Sequence, residues 1–170
     1  MKHQYVQYET FSKSIQKKVQ VLLNYIKEIL SNGRDDVQGY ILKWLAHMVK
    51  GKKNDSILYL RAKQGFGKST LQNFIRKHVV GSDLSLEEGS NPLISDFNER
   101  LAGKIFVAFE ELESFSKSQW MSISARIKRY ATSDVMTVEN KNVKAYTVQN
   151  LMNIMTVSYT HLRAHETLMN

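Results

Sequence analysis

The residue types best suited to chemistry lie in one glycine-containing segment, Ala62-Lys63-Gln64-Gly65-Phe66-Gly67-Lys68-Ser69. In a phosphate-binding loop (P-loop), backbone N–H groups converge on phosphates at a helix N-terminus, whose partial positive charge favours an anion. Gly65 and Gly67 allow the backbone to approach a ligand closely. The Lys68 ammonium can reach the β and γ phosphates, and the Ser69 hydroxyl can ligate Mg²⁺. The segment therefore predicts a site for ATP with Mg²⁺.

The residues around this loop favour the same interpretation. An apolar run at 56–61 precedes the loop, and an amphipathic stretch with Thr70 in its first turn follows it. Strand, loop and helix in that order are the setting that phosphate binding requires. The full pattern begins with glycine, whereas this loop begins with Ala62, where a positive φ is harder to reach. We expect residues 62–70 to bind the nucleotide; the alternative is a glycine turn that carries a surface lysine.

A pair of carboxylates follows a second apolar run, Ile105-Phe106-Val107-Ala108-Phe109. Glu110 and Glu111 come directly after this run, about forty positions beyond Lys68, in the arrangement called Walker B. One carboxylate would hold Mg²⁺, and the other would orient and deprotonate the water that attacks the γ-phosphate. We assign Glu110 to Mg²⁺ and Glu111 to the water, so Lys68, Glu110 and Glu111 are the predicted catalytic residues. The alternative is an acidic helix N-terminus.

Apolar periodicity predicts the elements that position these residues. Steps of three and four predict helices over 10–30 and 36–49, which would form a small helical subdomain. Shorter apolar or alternating runs predict strands at 56–61, 105–109 and 151–157, and a hairpin whose turn is Asn140-Lys141-Asn142. A helix is predicted over 117–130. Strands separated by helices indicate an α/β fold with a mainly parallel sheet.

Composition excludes several classes of protein. The chain has 170 residues and no cysteine, which removes disulfides and thiolate metal sites, and its five histidines lack zinc-ligand spacing. The polar start and the absence of a long apolar run predict no signal peptide and no membrane span. Residues 1–80 hold 15 Lys and Arg against 5 acids, whereas 81–170 hold 9 against 11. The basic first half is compatible with a polyanion partner or with solvated helix surfaces.

These motifs together resemble the superfamily 3 helicases, in particular the helicase half of viral and phage primase-helicases of the poxvirus and giant-virus type. The resemblance covers about residues 36–157. It includes Tyr40 to Ala46, the P-loop, Gly103 to Glu111, Arg126-Ile127-Lys128 and Val138 to Lys141. It implies an AAA+-like P-loop NTPase with a three-layer core. It also implies an ATP-dependent DNA helicase in a viral or phage replication complex, located in the host cytoplasm.

The same resemblance implies nucleic-acid contacts and partners. The family's motif B′ places basic residues in a channel that grips single-stranded DNA, and Lys128 and Lys141 match that block. Tyr146 is a weaker candidate for base stacking. Solvent-exposed lysines with no DNA role are the alternative. The implied partners are single-stranded DNA, further copies of the chain in a ring, expected to be a hexamer, and a primase domain.

The family's motif C is a strand that ends in an asparagine, which senses the γ-phosphate. Residues 151–158 resemble that strand, but Tyr159 stands where the asparagine is expected. From Ser158 onward the chain resembles translated sequencing-adapter DNA, so we expect 158–170 to be a non-native tail on a truncated fragment. The expected organisation is a helical subdomain at 1–52, an ATPase core at 53–157 and this tail.

Two other functions remain open from the sequence. A P-loop phosphotransferase, such as a small-molecule kinase, would share Lys68 and Ser69 but needs a lid and an acceptor pocket. A non-enzymatic DNA-binding domain would use the basic first half and would ignore both ATP and Lys68.

Overall fold

The computed structural model describes residues 7–62, 67–89, 91–95, 97–110, 112 and 116–159. Backbone alone is described at a few of these positions, which are Arg61, Ala62, Lys68, Asn91, Pro92, Lys117, Ser158 and Tyr159. The chain divides into two compact units, Met1–Leu42 and Lys43–Asn170. The boundary expected at residues 52 and 53, and the non-native tail, stay predictions. None of the helices in the described ranges is long and apolar enough to cross a membrane.

The first unit is helical. A short 3₁₀ turn at Tyr8–Thr10 precedes helix α1 (Lys13–Tyr25), which continues as a π-helical segment at Ile26–Leu30. The Ser12 hydroxyl caps α1 by accepting a hydrogen bond from the backbone N–H of Ile15 at 3.4 Å. The helix predicted over 10–30 is thus confirmed, with a later start and a π-helical end. Helix α2 (Asp35–Val49) follows and crosses the boundary between the units.

The second unit is a mixed α/β structure built on a parallel sheet. Strands β1, β6, β3 and β2 lie side by side in that order, and every neighbouring pair is parallel. Their bounds, in chain order, are β1 Leu58–Ala62, β2 Ser85–Glu88, β3 Phe106–Phe109 and β6 Asn153–Tyr159. The sequence predicted β1, β3 and β6, and these are confirmed. Strand β2 was not predicted.

Helices connect these strands. Helix α3 (Lys68–Phe74) begins where the sequence predicted it and continues as a π-helical segment at Ile75–Val80. A single turn, α4 (Asn91–Ile94), and a 3₁₀ turn at Glu99–Leu101 lie between β2 and β3. Helix α5 (Lys117–Thr132) begins with a capping box between Ser116 and Gln119, which satisfies two N-terminal backbone donors.

The two faces of the sheet pack against different helices. Val107 and Phe109 of β3 belong to the buried cluster that includes Ile123 and Ile127 of α5. Side chains alternate along a strand, so the equally buried Ala108 points to the opposite face. Ala108 is paired with Glu87 of β2, whose carboxylate lies 3.6 Å from the Arg76 guanidinium in the extension of α3. The α3 helix therefore covers the Ala108 face.

A two-stranded antiparallel hairpin forms a second sheet, separate from the parallel one. It consists of β4 (Val135–Asn140) and β5 (Val143–Gln149), and the predicted hairpin is confirmed. The turn holds Asn142 at φ 61°, in the left-handed region that asparagine tolerates. Met136 and Val138 of β4 are buried, whereas β5 is exposed along almost its whole length.

Candidate functional site

The site predicted from the sequence begins at the N-terminus of α3. Strand β1 ends at Ala62, and α3 begins at Lys68. Gly67 directly precedes the helix with φ 77°, a left-handed conformation that costs glycine little. Its carbonyl oxygen accepts a hydrogen bond from the backbone N–H of Thr70 at 2.8 Å. The predicted residues Lys63 to Phe66 lie outside the described residues.

The carboxyl ends of β1, β6 and β3 meet at the edge of the sheet where α3 begins, because these strands are parallel. Ala62, the last residue of β1, is paired with Tyr159, the last residue of β6. Phe109, the last residue of β3, is paired with Thr156. Since one strand separates β1 from β3, Glu110 lies about two strand spacings, roughly 10 Å, from β1. The fold thus brings the end of β1, the start of α3 and Glu110 to one edge of the sheet.

Glu110 is half-buried at this edge, and its backbone N–H donates to the Glu88 carbonyl oxygen at 3.0 Å. Glu111 lies outside the described residues. Glu88, at the end of β2, is a further carboxylate at this edge that the sequence analysis missed. Its side chain is 11% exposed and forms an ion pair with Arg100. Its signal in the sequence, the pair Glu87-Glu88 after an apolar residue, is weak.

The groups at this edge fit a nucleoside triphosphate with Mg²⁺. The first backbone N–H groups of a helix have no carbonyl acceptor four residues earlier within the helix, and those that remain unpaired can bind phosphate oxygens. In α3 the Thr70 N–H is already paired with Gly67. Ser69 and Glu110 are half-buried and carry the oxygen donors that Mg²⁺ prefers. Within the described part of the chain, no group of three or more His, Asp or Glu side chains could hold a metal ion by itself.

The predicted DNA contacts lie on two elements. Lys141 is exposed in the turn of the hairpin, and Tyr146 of β5 is 49% exposed. Lys128 is exposed on α5. All three side chains are accessible to a ligand, and their binding of DNA stays a prediction.

Three buried asparagines, which the sequence analysis did not assign to a site, organise the unit. The Asn98 side chain bonds to the edge of β4 that is not paired with β5. The Asn150 side-chain nitrogen donates to the carbonyl oxygens of Tyr130 and Ser133 at the end of α5. Asn153 is fully buried at the start of β6, and its side-chain oxygen accepts from both the backbone N–H (2.8 Å) and the side chain (2.6 Å) of Asn54. Polar residues beside apolar runs were their only signal.

Comparisons with known proteins identify relatives of this chain. The family model DUF5906, described as a family of unknown function, matches residues 60–166. The DNA primase-polymerase of Nitratiruptor phage NrS-1 is 25% identical over 143 residues. That alignment covers 82% of this chain and 20% of the relative.

Solved structures of the NrS-1 C-terminal region have the same fold. One apo structure matches with a TM-score of 0.72 and 22% identity over 82% of this chain. The A form of the apo structure matches with a TM-score of 0.71 and 20% identity over 84% of this chain. The chain spans 33% of the length of each solved region.

Proposed function

The chain belongs to the DUF5906 family, and from this premise we propose that it is an ATP-binding and ATP-hydrolysing module of a phage replication protein. The similarity to part of a phage DNA primase-polymerase supports the role in replication. The proposed activity is that of a DNA helicase motor, which uses ATP hydrolysis to move along single-stranded DNA.

One observation carries this proposal. The parallel strand β1 precedes the helix that begins at Lys68, and Gly67, in the left-handed conformation, comes directly before that helix. Glu110 follows β3 at the same sheet edge, with one strand between β3 and β1. Ligands of open α/β sheets bind outside the carboxyl ends of the strands, which is this edge. A loop with the P-loop residue pattern at this position supports nucleotide binding far more than the pattern alone.

Each residue of the proposed site has a separate chemical role. The Lys68 ammonium neutralises the β and γ phosphates, and the Ser69 hydroxyl and the Glu110 carboxylate hold Mg²⁺. Bound Mg²⁺ supplies positive charge that stabilises the phosphoryl oxygens during transfer. Glu111 accepts a proton from the water that attacks the γ-phosphorus, as the bond to ADP breaks.

The hairpin is the proposed contact with DNA. Its turn presents Lys141 to solvent, and the exposed aromatic ring of Tyr146 on β5 suits stacking on a base. Lys128 on α5 contributes a second positive charge. We include in the proposal a ring of identical chains, expected to be a hexamer. We also include a linked primase domain, since the phage relative is a DNA primase-polymerase.

The experiment compares the wild-type chain with Lys68→Ala. Binding of a fluorescent ATP analogue with Mg²⁺, and ATP hydrolysis with and without single-stranded DNA, would be measured for both. We expect the substitution to remove nucleotide binding and hydrolysis because the phosphates lose their cationic partner. Lys77→Ala, which changes an exposed lysine near the end of the same helix, is the matched control and should behave as wild type.

The result decides between the three functions. Nucleotide binding or hydrolysis unchanged by Lys68→Ala would refute the ATPase proposal. Transfer of phosphate to a small acceptor would establish the kinase alternative. DNA binding that is indifferent to both ATP and Lys68 would favour a non-enzymatic DNA-binding domain.

A further inference from the structure

The Gln72 side chain is the most unusual polar group in helix α3. The residue is 1% exposed, between the buried apolar side chains of Leu71 and Ile75. Its amide oxygen and nitrogen are both buried without a hydrogen-bond partner among the residues that the structure describes. Buried amides are nearly always paired, because desolvation without a hydrogen bond is unfavourable. The two unpaired atoms of the Gln72 amide therefore point to a ligand, or to a functional state, in which they gain hydrogen-bond partners.

The position of Gln72 on the helix can be related to the sheet. The α3 helix starts at the carboxyl ends of the strands and runs back toward their amino ends, where β2 begins. Gln72 precedes Arg76 by four residues, so the two lie on one helix face about 6 Å apart along the axis. Arg76 contacts Glu87, which is paired with Ala108 of β3.

A similar distance along β3, measured from Ala108 toward the carboxyl end of the strand, leads to Glu110. Two residues beyond Ala108 correspond to roughly 6.6 Å of strand, and alternation returns Glu110 to the face that α3 covers. Gln72 and Glu110 are therefore both placed on the same side of the sheet, toward its carboxyl edge relative to the contact between Arg76 and Glu87. The helix and its π-helical extension connect β1 to β2, and β6 and β3 lie between these two strands in the sheet. A connection of this kind crosses the face of the sheet on which β3 carries Glu110.

We propose that Gln72 is a positioning residue for Glu110. Its side-chain N–H donates to the Glu110 carboxylate, directly or through one water, and orients that carboxylate toward Mg²⁺ when the nucleotide binds. The inference rests on the proposed function and extends it to the second layer of the metal site. Partners of metal-binding carboxylates fix the orientation of the ligand, and their loss weakens the site.

The test replaces Gln72 by methionine, which has a similar shape but no amide. Affinity for a fluorescent ATP analogue would be measured with Mg²⁺ and with EDTA, and thermal unfolding would be measured without nucleotide. We expect Gln72→Met to weaken only the Mg²⁺-dependent part of the affinity, by about 10- to 100-fold. We also expect the unfolding midpoint to rise by about 3 °C, because an unpaired amide leaves the core.

Ser31→Ala is the matched control. The Ser31 hydroxyl is also buried without a partner among the described residues, but it lies in the first unit. Its removal should raise the midpoint in the same direction and leave the Mg²⁺-dependent affinity unchanged. Gln72→Leu provides a second apolar replacement in case methionine packs poorly.

The outcomes separate this inference from the proposed function. If wild type binds nucleotide through Lys68 and the Gln72 variants keep the full Mg²⁺-dependent affinity, the positioning role is refuted and the ATPase proposal stands. Equal loss of affinity in Mg²⁺ and in EDTA would indicate general damage to the loop and would also refute it. A wild-type chain that binds no nucleotide overturns both.

Discussion

Asn98 and Glu139 form a reciprocal pair at the edge of β4. The backbone N–H of Asn98 donates to the Glu139 carbonyl oxygen at 3.2 Å, and the backbone N–H of Glu139 donates to Oδ1 of Asn98 at 2.9 Å. The Asn98 amide nitrogen also donates to the Thr137 carbonyl oxygen and to the Tyr130 hydroxyl. One buried asparagine thus replaces a neighbouring strand and fixes the hairpin to the core.

Asn98→Ala should loosen the hairpin. The substitution removes three side-chain hydrogen bonds and leaves the Glu139 amide and the Thr137 carbonyl unpaired, so we expect a loss of about 2 kcal/mol in unfolding free energy. Urea unfolding would measure the loss, and hydrogen exchange at the Glu139 amide should accelerate. Asn24→Ala, at an exposed position on α1, should change stability by less than about 0.5 kcal/mol. Unchanged exchange at Glu139 would contradict the anchoring role.

Asn153 and Asn54 should show energetic coupling. The Asn153 amide nitrogen donates to the carbonyl oxygens of Lys52, Ile105 and Leu151 at 3.2 to 3.3 Å, while its oxygen accepts from Asn54. We expect Asn153→Ala to cost about 3 kcal/mol because several buried groups lose their partners.

A double-mutant cycle with Asn54→Ala measures the shared part of this network. The double variant should be less destabilised than the sum of the single variants by about 1 kcal/mol or more. Strict additivity would show that the contact between Asn54 and Asn153 contributes little. The pair joins the loop before β1 to the start of β6. Its loss should therefore destabilise the parallel sheet.

The elements of this fold were largely predictable, because their apolar periodicities are clear and because glycines and asparagines mark their ends. Strand β2 was missed since Ser85 to Glu88 contains one apolar residue, and its identity as a strand depends on pairing with β3. The sheet order could not be predicted either. The position of β6 between β1 and β3 depends on long-range packing that local patterns do not encode.

The candidate site was predictable to a smaller extent. The glycine loop and Glu110 could be found because each follows a strand that reads clearly in the sequence. Gln72 and Asn98 could not, since a single amide carries no spacing signal and its burial is known only once the helix and the hairpin are in place.

Lys141→Ala should weaken binding to single-stranded DNA. A lysine that contacts a phosphate releases counterions on binding, so its removal should reduce the slope of log affinity against log salt concentration by about 0.7. Fluorescence anisotropy with a labelled oligonucleotide between low and physiological salt would measure the slope. Lys128→Ala should act in the same direction, and Lys17→Ala on α1 is the control. A slope unchanged by both hairpin and α5 substitutions would argue against these contacts.

Asp36 should contribute stability that depends on pH. The Arg34 guanidinium donates to the Asp36 carboxylate at 2.6 and 3.2 Å, which holds the pKa of that carboxyl below its ordinary value of 3.8. Because the folded pKa is the lower one, the contribution is present above the ordinary pKa of 3.8 and is lost as the pH falls through the folded pKa. Wild type and Asp36→Asn should therefore differ in unfolding free energy near neutral pH and converge as the pH falls below 3.8. A difference that is the same in both pH ranges would contradict this assignment, and Arg34→Gln should reproduce the effect.

Glu110→Gln and Glu111→Gln should separate the two proposed roles of the carboxylate pair. Glutamine at 111 cannot accept a proton from water, so we expect nucleotide binding to persist while hydrolysis falls by roughly 10²- to 10⁴-fold. Glutamine at 110 keeps the shape but loses the negative charge, so the Mg²⁺-dependent gain in nucleotide affinity should shrink. Glu113→Gln changes a nearby acid with no assigned role and serves as the control for both. Reversal of the two phenotypes would exchange the assignments, whereas full hydrolysis in both variants would remove this pair from the mechanism.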